Sequence, residues 1–266
     1  MFVQDMVISI VTRHPEIANG ANRIGETGMT GDSRARLVFV HGAGGTHRVW
    51  RHQTSAFPGS IALDLPGHPR GRGYNTIAEY ARFVTEAIAE RKLTSAILVG
   101  HSMGGAITIE IALARPQFLT GIVLVGSGAR LRVTPVIKDE VTRDYAHAAK
   151  IIAEWAYSPK SDARLRRASI EELLDVPAEV TYGDFEACDR FDRMNEIDRI
   201  DLPTLLVCGE DDALTPVKYS HYMGKRIRNA RLVTIPGAGH SVMLEKPEEL
   251  NNALRSFLVD LHPSHS

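Results

Sequence analysis

One short stretch, Gly100-His101-Ser102-Met103-Gly104, restricts this chain more than any other part of its sequence. The apolar run 96–99 before it is typical of a buried strand, and the apolar run 106–113 after it predicts a buried helix. Glycines two positions before and after the serine allow a turn so sharp that the serine adopts a strained backbone conformation. The same spacing also fits a glycine-rich turn with an incidental serine. The rest of the chain therefore has to decide what the stretch does.

Apolar runs typical of buried strands alternate with helical patterns through the first half of the chain. Strands are predicted at 36–41, 60–64, 96–99 and 121–125, with helices at about 49–57 and from 106. Thr76 and Glu79 form a capping-box pattern, and the apolar residues that follow recur at helical spacing as far as Ile88. This alternation implies right-handed crossovers. The predicted fold class is therefore α/β, with a mainly parallel twisted sheet flanked by helices.

The alternation stops between residues 131 and 197, where no buried-strand run occurs. Charged helical patterns with several aromatic residues fill this segment, and prolines and a glycine divide it. The strand pattern resumes at 202–209. The domain prediction is therefore a core made of residues 1–130 and 198–266, with an inserted helical segment at 131–197.

The amino-terminal segment 3–11 has strand character and predicts an edge hairpin, with flexible sequence as the alternative. Its apolar part is short, follows Asp5, and lacks the basic lead and cleavage site of a signal peptide. No stretch approaches the roughly 20 apolar residues that a membrane helix needs. We therefore expect a soluble, cytoplasmic protein without a membrane partner.

Composition argues against several classes of function. The formal net charge is −1 over 266 residues, so no overall field favours nucleic acid or an acidic membrane. Cys188 and Cys208 have no metal-ligand partner at the required spacing, and they indicate no disulfide framework, although two cysteines could pair. We expect neither a metal ion nor nucleic acid among the partners.

A serine nucleophile needs a base, and the base needs a group that orients it. In parallel sheets such groups lie on loops outside the carboxyl ends of strands. Among the 11 histidines, His240 directly follows a predicted strand, in the glycine-rich loop 236–241. The loop after the resumed strand pattern holds three adjacent carboxylates, Glu210, Asp211 and Asp212. They compete for the role of the acid, and a polar loop that caps the next helix is the alternative.

Three other histidines carry different expectations. His41 ends a strand and is interpreted as a structural hydrogen-bonding residue. His101 adjoins the serine but is expected to point away from it at the sharp turn. His68 lies in a loop rich in proline and glycine and is a candidate for lining the entrance to a site. None of the three is therefore predicted to be the base.

Four motifs together resemble the α/β-hydrolase superfamily, in its compact form with a helical cap. They are His41-Gly42, Gly100-His101-Ser102-Met103-Gly104-Gly105, Gly209-Glu210-Asp211-Asp212 before Pro216, and Gly237-Ala238-Gly239-His240. They follow the order Ser, Asp, His that this fold uses. The resemblance spans about 37–258 apart from the insertion. It is weaker at Gly67-His68-Pro69-Arg70-Gly71, where relatives more often have Gly-His-Gly.

The resemblance implies a catalytic triad. Ser102 would be the nucleophile, and His240 would be the general base and then the general acid. The family's pattern G-x-x-D selects Asp212 as the acid that orients the imidazole.

The resemblance also implies an oxyanion hole made of backbone N–H groups. Its donors would be Ala43 and Met103, with Gly44 as the fallback for Ala43. The chemistry then needs no cofactor and no metal.

With serine at the turn, the resemblance implies a carboxylesterase-type serine hydrolase that cleaves small to medium acyl esters through an acyl-enzyme. The same triad also serves lactone, enol-lactone, C–C bond and thioester hydrolases, which the sequence separates poorly. A ligand-binding receptor or a pseudoenzyme on this scaffold is an alternative of another class, and the complete set of serine, aspartate and histidine argues against both. The expected partner is a small-molecule ester, and the oligomeric state stays open.

The insertion carries candidates for substrate contact. Trp155 and Tyr157 could line the acyl or alcohol pocket, with packing inside the cap as the alternative. Arg130, Arg132 or Arg190 could bind a carboxylate-bearing substrate. The sequence does not place any of them relative to Ser102.

Overall fold

A computed structural model describes residues 35–261, and the hairpin expected at 3–11 lies outside the described residues. Six parallel strands form one sheet in the order β2-β1-β3-β4-β5-β6. The strands are β1 (Arg36–Val40), β2 (Ile61–Leu63), β3 (Ala96–His101), β4 (Leu119–Val125), β5 (Thr204–Gly209) and β6 (Ala230–Ile235).

Helices connect the strands and cover both faces of the sheet. They are α1 (Arg51–Ala56), α2 (Ile77–Glu90), α3 (Met103–Ala114), α4 (Pro135–Arg143), α5 (Tyr145–Ala156), α6 (Ala163–Leu174), α7 (Ala178–Arg190), α8 (Val217–Gly224), α9 (Val242–Glu245) and α10 (Pro247–Leu261). Short 3₁₀ helices occur at His47–Trp50 and Ile197–Arg199. As the capping-box pattern predicts, the hydroxyl of Thr76 accepts a hydrogen bond from the N–H of Glu79 at the start of α2.

Side chains of the central strands alternate between two apolar cores, one on each face of the sheet. In β1, Val38 and Val40 belong to the core that includes α2 and α3, whereas Leu37 and Phe39 belong to the core that includes α9 and α10. A strand buried on both faces is apolar at every position, which explains why these runs lack a polar alternation. The predicted parallel sheet flanked by helices is confirmed.

The strand order places two loops next to each other. The chain moves outward from β1 to β2 and then returns to the other side of β1 to form β3. The loops after β1 and β3 therefore leave the same edge of the sheet in opposite directions, and such a switch point opens a crevice for a ligand. His41 and Ser102 are the first residues after β1 and β3, so they begin these two loops.

Helices α4 to α7 lie between β4 and β5 in the chain, in the segment where the sequence predicts an insertion. An antiparallel bridge between Arg130 and Asp192 joins the two ends of this segment. Within residues 35–261, no helix combines the length and the apolar character that crossing a membrane requires.

Candidate active site

Ser102 occupies the sharp turn between β3 and α3, with φ 52° and ψ −115°. Non-glycine residues adopt such positive φ values only when the surroundings impose them. The neighbouring glycines make the turn possible. A Cβ atom on Gly100 would lie 2.2 Å from the carbonyl oxygen of Gly104, and one on Gly104 would lie 2.3 Å from the carbonyl oxygen of Val40. The turn therefore excludes side chains at both positions.

Two hydrogen bonds from the β4 region hold the backbone of Ser102. Its N–H donates to the carbonyl of Val125 at 3.0 Å, and the hydroxyl of Ser127 donates to its carbonyl at 2.8 Å. Sequence reasoning missed Ser127. The signal that could have found it is the sequence Gly126-Ser127-Gly128 directly after a predicted strand.

His240 and Asp212 lie side by side on the loops after β6 and β5. Nδ1 of His240 is 3.0 Å from Oδ2 and 3.2 Å from Oδ1 of Asp212, and both residues are buried. Nδ1–H therefore donates to the carboxylate, and Nε2 is the ring nitrogen that Asp212 leaves unoccupied.

The loop after β5 presents Asp212 in an ionised form. The backbone N–H groups of Leu214 and Thr215 and the hydroxyl of Thr215 all donate to its carboxylate, at 2.8 to 2.9 Å. Burial alone would raise its pKa, but the charge and hydrogen bond of His240 and the hydrogen bonds from Thr215 hold the pKa of Asp212 at about 2. Asp212 thus both orders the turn before α8 and faces His240.

The two competing carboxylates do not reach the imidazole. Asp211 accepts a hydrogen bond from the hydroxyl of Ser158 at 2.6 Å, and Glu210 is exposed. Of the three adjacent acids, the structure brings Asp212 to His240.

Two chambers of about 120 Å³ each have Ser102 and His240 in their lining. The first chamber is bounded by the turn 42–45 and otherwise mainly by apolar groups, among them those of Tyr157, Leu173 and Met243. The second is bounded by residues that include Leu131, Ile137, Trp155 and Tyr219. Within the described residues, no hydrogen bond joins the Ser102 hydroxyl to His240. In enzymes without bound substrate such contacts are often long.

The turn after β1 supplies N–H groups beside Ser102. Within residues 35–261, the N–H groups of Ala43 and Met103 make no hydrogen bond, and Met103 is the first residue of α3, where helix N–H groups lack internal partners. The N–H of Gly44 instead donates to Oδ2 of Asp184 at 2.8 Å. The N–H of Gly44, the fallback donor, is therefore already used in a hydrogen bond, and the N–H of Ala43 is the one still available in this turn.

Comparison with known proteins agrees with this fold. The sequence model of the alpha/beta hydrolase family matches residues 37–253. The chain belongs to the alpha/beta hydrolase family.

Relatives of this hydrolase include esterases. A pimeloyl-[acyl-carrier protein] methyl ester esterase of Neisseria meningitidis serogroup A is 26% identical over 247 residues, which cover 85% of this chain and 78% of the relative. A solved thermophilic esterase is 36% identical with a TM-score of 0.79, covering 86% of this chain and 92% of that one. A solved N-acyl homoserine lactone degrading enzyme is 27% identical with a TM-score of 0.74, covering 84% and 93%.

His41 in this hydrolase has the structural role expected of it. Its Nδ1–H donates to the carbonyl of Gly42 at 2.8 Å, and its Nε2 accepts from the N–H of Leu65 at 3.0 Å. Burial, reinforced by the charge of His68, lowers the pKa of His41 to about 3, so the ring is neutral. It joins the loops after β1 and β2.

The expectation that His101 points away from the site is wrong. Its ring centroid lies 4.6 Å from that of His240, and its Nε2–H donates to the carbonyl of His240 at 3.1 Å. Burial, and then the charge of His240, hold the pKa of His101 well below its ordinary value. A neutral His101 therefore fixes the backbone of the loop that carries His240.

The expectation that His68 lines the entrance is also wrong. The ring is fully buried, and its Nε2 lies 2.8 Å from Oδ2 of Asp184 on α7. The proline- and glycine-rich loop folds the histidine inward, because the buried carboxylate compensates the cost of removing the imidazole from water.

The candidate residues for substrate contact lie in different places, some beside the two chambers and some in ion pairs outside them. Tyr157 lines the first chamber, and Trp155 and Arg132 line the second. Arg130 lies 3.7 Å from Asp192, and Arg190 is ion-paired with Glu186 at 2.7 Å, outside both chambers. Arg132 is therefore the candidate arginine that borders the space around Ser102.

Proposed function

We propose that this chain is a serine hydrolase that cleaves carboxylic esters with small to medium acyl groups. The observation that carries the proposal is that the strained Ser102 and His240 line the same cavity. Nδ1 of that histidine is held by the buried, ionised Asp212. The esterase names among the relatives support the same class of substrate.

In this mechanism Ser102 attacks the ester carbonyl while Nε2 of His240 accepts its proton. Asp212 stabilises the resulting imidazolium and keeps the ring oriented. The N–H groups of Ala43 and Met103 would stabilise the oxyanion of the tetrahedral intermediate. His240 then protonates the leaving alkoxide as the C–O bond breaks, and water, activated by the same histidine, hydrolyses the acyl-enzyme.

The size of the two chambers supports short and medium chains. A dry apolar cavity of about 150 Å³ accommodates a molecule the size of benzene. Each chamber here has about 120 Å³, so one suits a short acyl group and the other a comparable alcohol. We propose that residues 131–197 form a cap over Ser102, since Tyr157, Leu173 and Trp155 supply parts of both chambers.

The first prediction concerns Ser102. Purified protein should hydrolyse p-nitrophenyl acetate and butyrate, and Ser102→Ala should lower kcat/KM by about 10³-fold or more, because the nucleophile is removed. A fluorophosphonate probe should label the wild type at Ser102, which peptide mapping would locate, with the other serines as internal controls. Equal hydrolysis by wild type and Ser102→Ala, or labelling elsewhere, would show that the nucleophile is misassigned.

Lactone hydrolysis is a second candidate, favoured by the likeness to a lactone-degrading enzyme. A lactone is a cyclic ester, so the same attack and oxyanion stabilisation apply. A series of p-nitrophenyl esters from acetate to decanoate, run beside acyl homoserine lactones and thioesters, separates the candidates by kcat/KM. A lactone preferred over every linear ester would replace the proposed substrate class.

The proposed compartment is the cytoplasm. Cys188 and Cys208 are both free, buried thiols. Free thiols are usual where the surroundings are reducing, which supports this compartment.

A further inference from the structure

A second buried polar cluster joins the insertion to the core. Asp184 on α7 accepts hydrogen bonds from the backbone N–H of Gly44 at 2.8 Å, Nε2 of His68 at 2.8 Å and the hydroxyl of Tyr80 at 2.6 Å. We call these four residues the Asp184 cluster. Asp184 is fully buried, so its carboxylate depends on these partners rather than on water.

His68 gives the cluster a compensating positive charge. Its Nδ1 faces the carbonyls of Pro66 at 3.0 Å and Leu65 at 3.3 Å, and its Nε2 faces the carboxylate of Asp184. Carbonyls only accept hydrogen bonds, so Nδ1 carries a proton, and a second proton on Nε2 donates to the carboxylate of Asp184. Burial lowers the pKa of His68, but the hydrogen bond and charge of Asp184 outweigh it, and the pKa is raised. The ring has no free lone pair for proton transfer.

The contact with Gly44 acts on the turn beside Ser102. The N–H of Gly45 donates to the carbonyl of Gly42 at 3.1 Å, which closes a β-turn with Ala43 and Gly44 at its centre. Gly44 has φ +63°, and the peptide between Ala43 and Gly44 could otherwise rotate between two turn types. Its hydrogen bond to Asp184 selects one of the two orientations.

The insertion also packs directly against this turn. A Cβ atom on Gly44 would lie 2.3 Å from Cδ1 of Leu173 and 3.1 Å from Oγ1 of Thr181. Leu173 belongs to α6 and Thr181 to α7, one turn before Asp184. The turn is therefore enclosed by the insertion, and the position of Ala43 depends on α7.

We propose that Asp184 is a positioning residue: it holds the turn 42–45 so that the N–H of Ala43 faces the oxyanion that forms at Ser102. This inference rests on the proposed function. It explains why the carboxylate of Asp184 is buried between α7 and three separate segments of the core. It also means that α7 has to be packed in this position for the transition state to be stabilised.

The decisive variant is Asp184→Asn. The amide removes the negative charge that compensates His68 and offers one acceptor oxygen in place of two. We expect kcat for p-nitrophenyl butyrate to fall about 10- to 100-fold with KM within about two-fold, because a displaced oxyanion donor affects the transition state. Affinity for a trifluoromethyl ketone, which forms a tetrahedral adduct, should fall by the same factor. All rates are expressed per active site titrated with fluorophosphonate.

Glu186→Gln is the matched control, since Glu186 lies on the same helix and pairs with Lys138 and Arg190 instead of the core. It should retain wild-type kcat. An Asp184→Asn protein with wild-type kcat and ketone affinity per titrated site would overturn the proposal, as would an equal loss in Glu186→Gln. If Asp184→Asn does not fold, His68→Gln should show the same kcat loss in weaker form, and an unchanged kcat there overturns the proposal.

A measurement independent of activity separates this inference from the proposed function. Amide hydrogen exchange by NMR should show a protected Gly44 N–H and a fast Ala43 N–H in the wild type. Gly44 should exchange faster in Asp184→Asn and unchanged in Glu186→Gln. If Ser102-dependent hydrolysis is absent, the proposed function fails. The catalytic part of this inference then fails with it, even if the exchange of the Gly44 N–H confirms the contact with Asp184. If hydrolysis is present and Gly44 exchange does not respond to Asp184→Asn, the inference alone fails.

Discussion

Asp212–His240 and Asp184–His68 are both buried carboxylate–histidine pairs, with separations of 3.0 and 2.8 Å. They differ in what the second ring nitrogen faces. Nε2 of His240 borders the cavity that contains Ser102, whereas Nδ1 of His68 donates to the carbonyl of Pro66. The first ring has a lone pair available at the cavity, and the second has both nitrogens occupied as donors. In the proposed mechanism the same pair of residue types therefore moves a proton in one place and only holds a position in the other.

The two aspartates also differ in where their hydrogen-bond donors come from. Asp212 takes its other hydrogen bonds from its own loop, through Leu214 and Thr215. Asp184 takes its hydrogen bonds from three segments far away in the chain. Asp212 is thus ordered locally and serves one histidine, whereas Asp184 joins separate parts of the fold.

Among the variants that test this comparison, Asp212→Asn should have the largest effect on kcat. The amide can donate a hydrogen bond to Nδ1, which favours the wrong tautomer of His240, so kcat should fall by about 10⁴-fold. Steady-state kinetics with p-nitrophenyl butyrate measure the loss. Asp211→Asn is the control, because Asp211 contacts Ser158 instead of His240, and it should lose far less. A larger loss in Asp211→Asn would show that the acid is misassigned.

The two pairs should lose their contributions to stability at opposite ends of the pH scale. The pKa of Asp212 lies below its unfolded value of 3.8, at about 2. Its contribution, about 2 kcal/mol, is therefore present above pH 4 and lost as the pH falls towards 2. The pKa of His68 is raised above 6.5, so its contribution is present below pH 6.5 and lost as the pH rises through the folded value.

Urea unfolding of wild type, Asp212→Asn and His68→Gln across this pH range measures both effects. The groups that face His68 are Asp184, the neutral ring of His41 at 4.8 Å and Tyr80. Burial, and then the charge of Asp184, raise the pKa of Tyr80, so among these groups the titration directly above pH 6.5 belongs to His68. A destabilisation by His68→Gln that grew with pH would contradict the sign assigned here.

The smallest effect is expected from Tyr80→Phe. It removes one donor to Asp184 and the acceptor of the Tyr74 N–H, but it leaves the bonds from Gly44 and His68. The free energy of unfolding should therefore fall by about 1 to 2 kcal/mol with little change in kcat. Thermal and urea unfolding measure the difference. Tyr182→Phe is the control, because its hydroxyl makes no hydrogen bond within residues 35–261, and it should change stability by less than about 0.5 kcal/mol. Equal losses in the two variants would mean that the hydrogen bonds of the Tyr80 hydroxyl, including the one to Asp184, contribute nothing.

The local pattern of the chain was sufficient for the alternation of strands and helices and for the turn at Ser102. The reason is that a strand buried on both faces has to be apolar throughout, and a turn with φ 52° needs glycines beside it. The loop that carries Asp212 could be named because it directly follows a predicted strand. Selecting Asp212 over Asp211 needed the family resemblance, since both are short carboxylates in the same loop.

The roles of His101 and His68 could not be read from the sequence. The direction of His101 depends on how the loop after β6 returns over β3, and the burial of His68 depends on α7. His68 and Asp184 are 116 positions apart, and no local pattern around either residue indicates that they pair. Their contact exists because the insertion packs against the turn 42–45, and only the tertiary structure determines that packing.

The sequence by itself therefore determined the sheet, the turn and the order of serine, acid and histidine, because each depends on residues close together in the chain or at strand ends. The tertiary structure decided which buried histidine keeps a free nitrogen and which is fixed on both sides. That choice depends on neighbours from distant segments: a cavity beside His240, and two carbonyls and a carboxylate around His68.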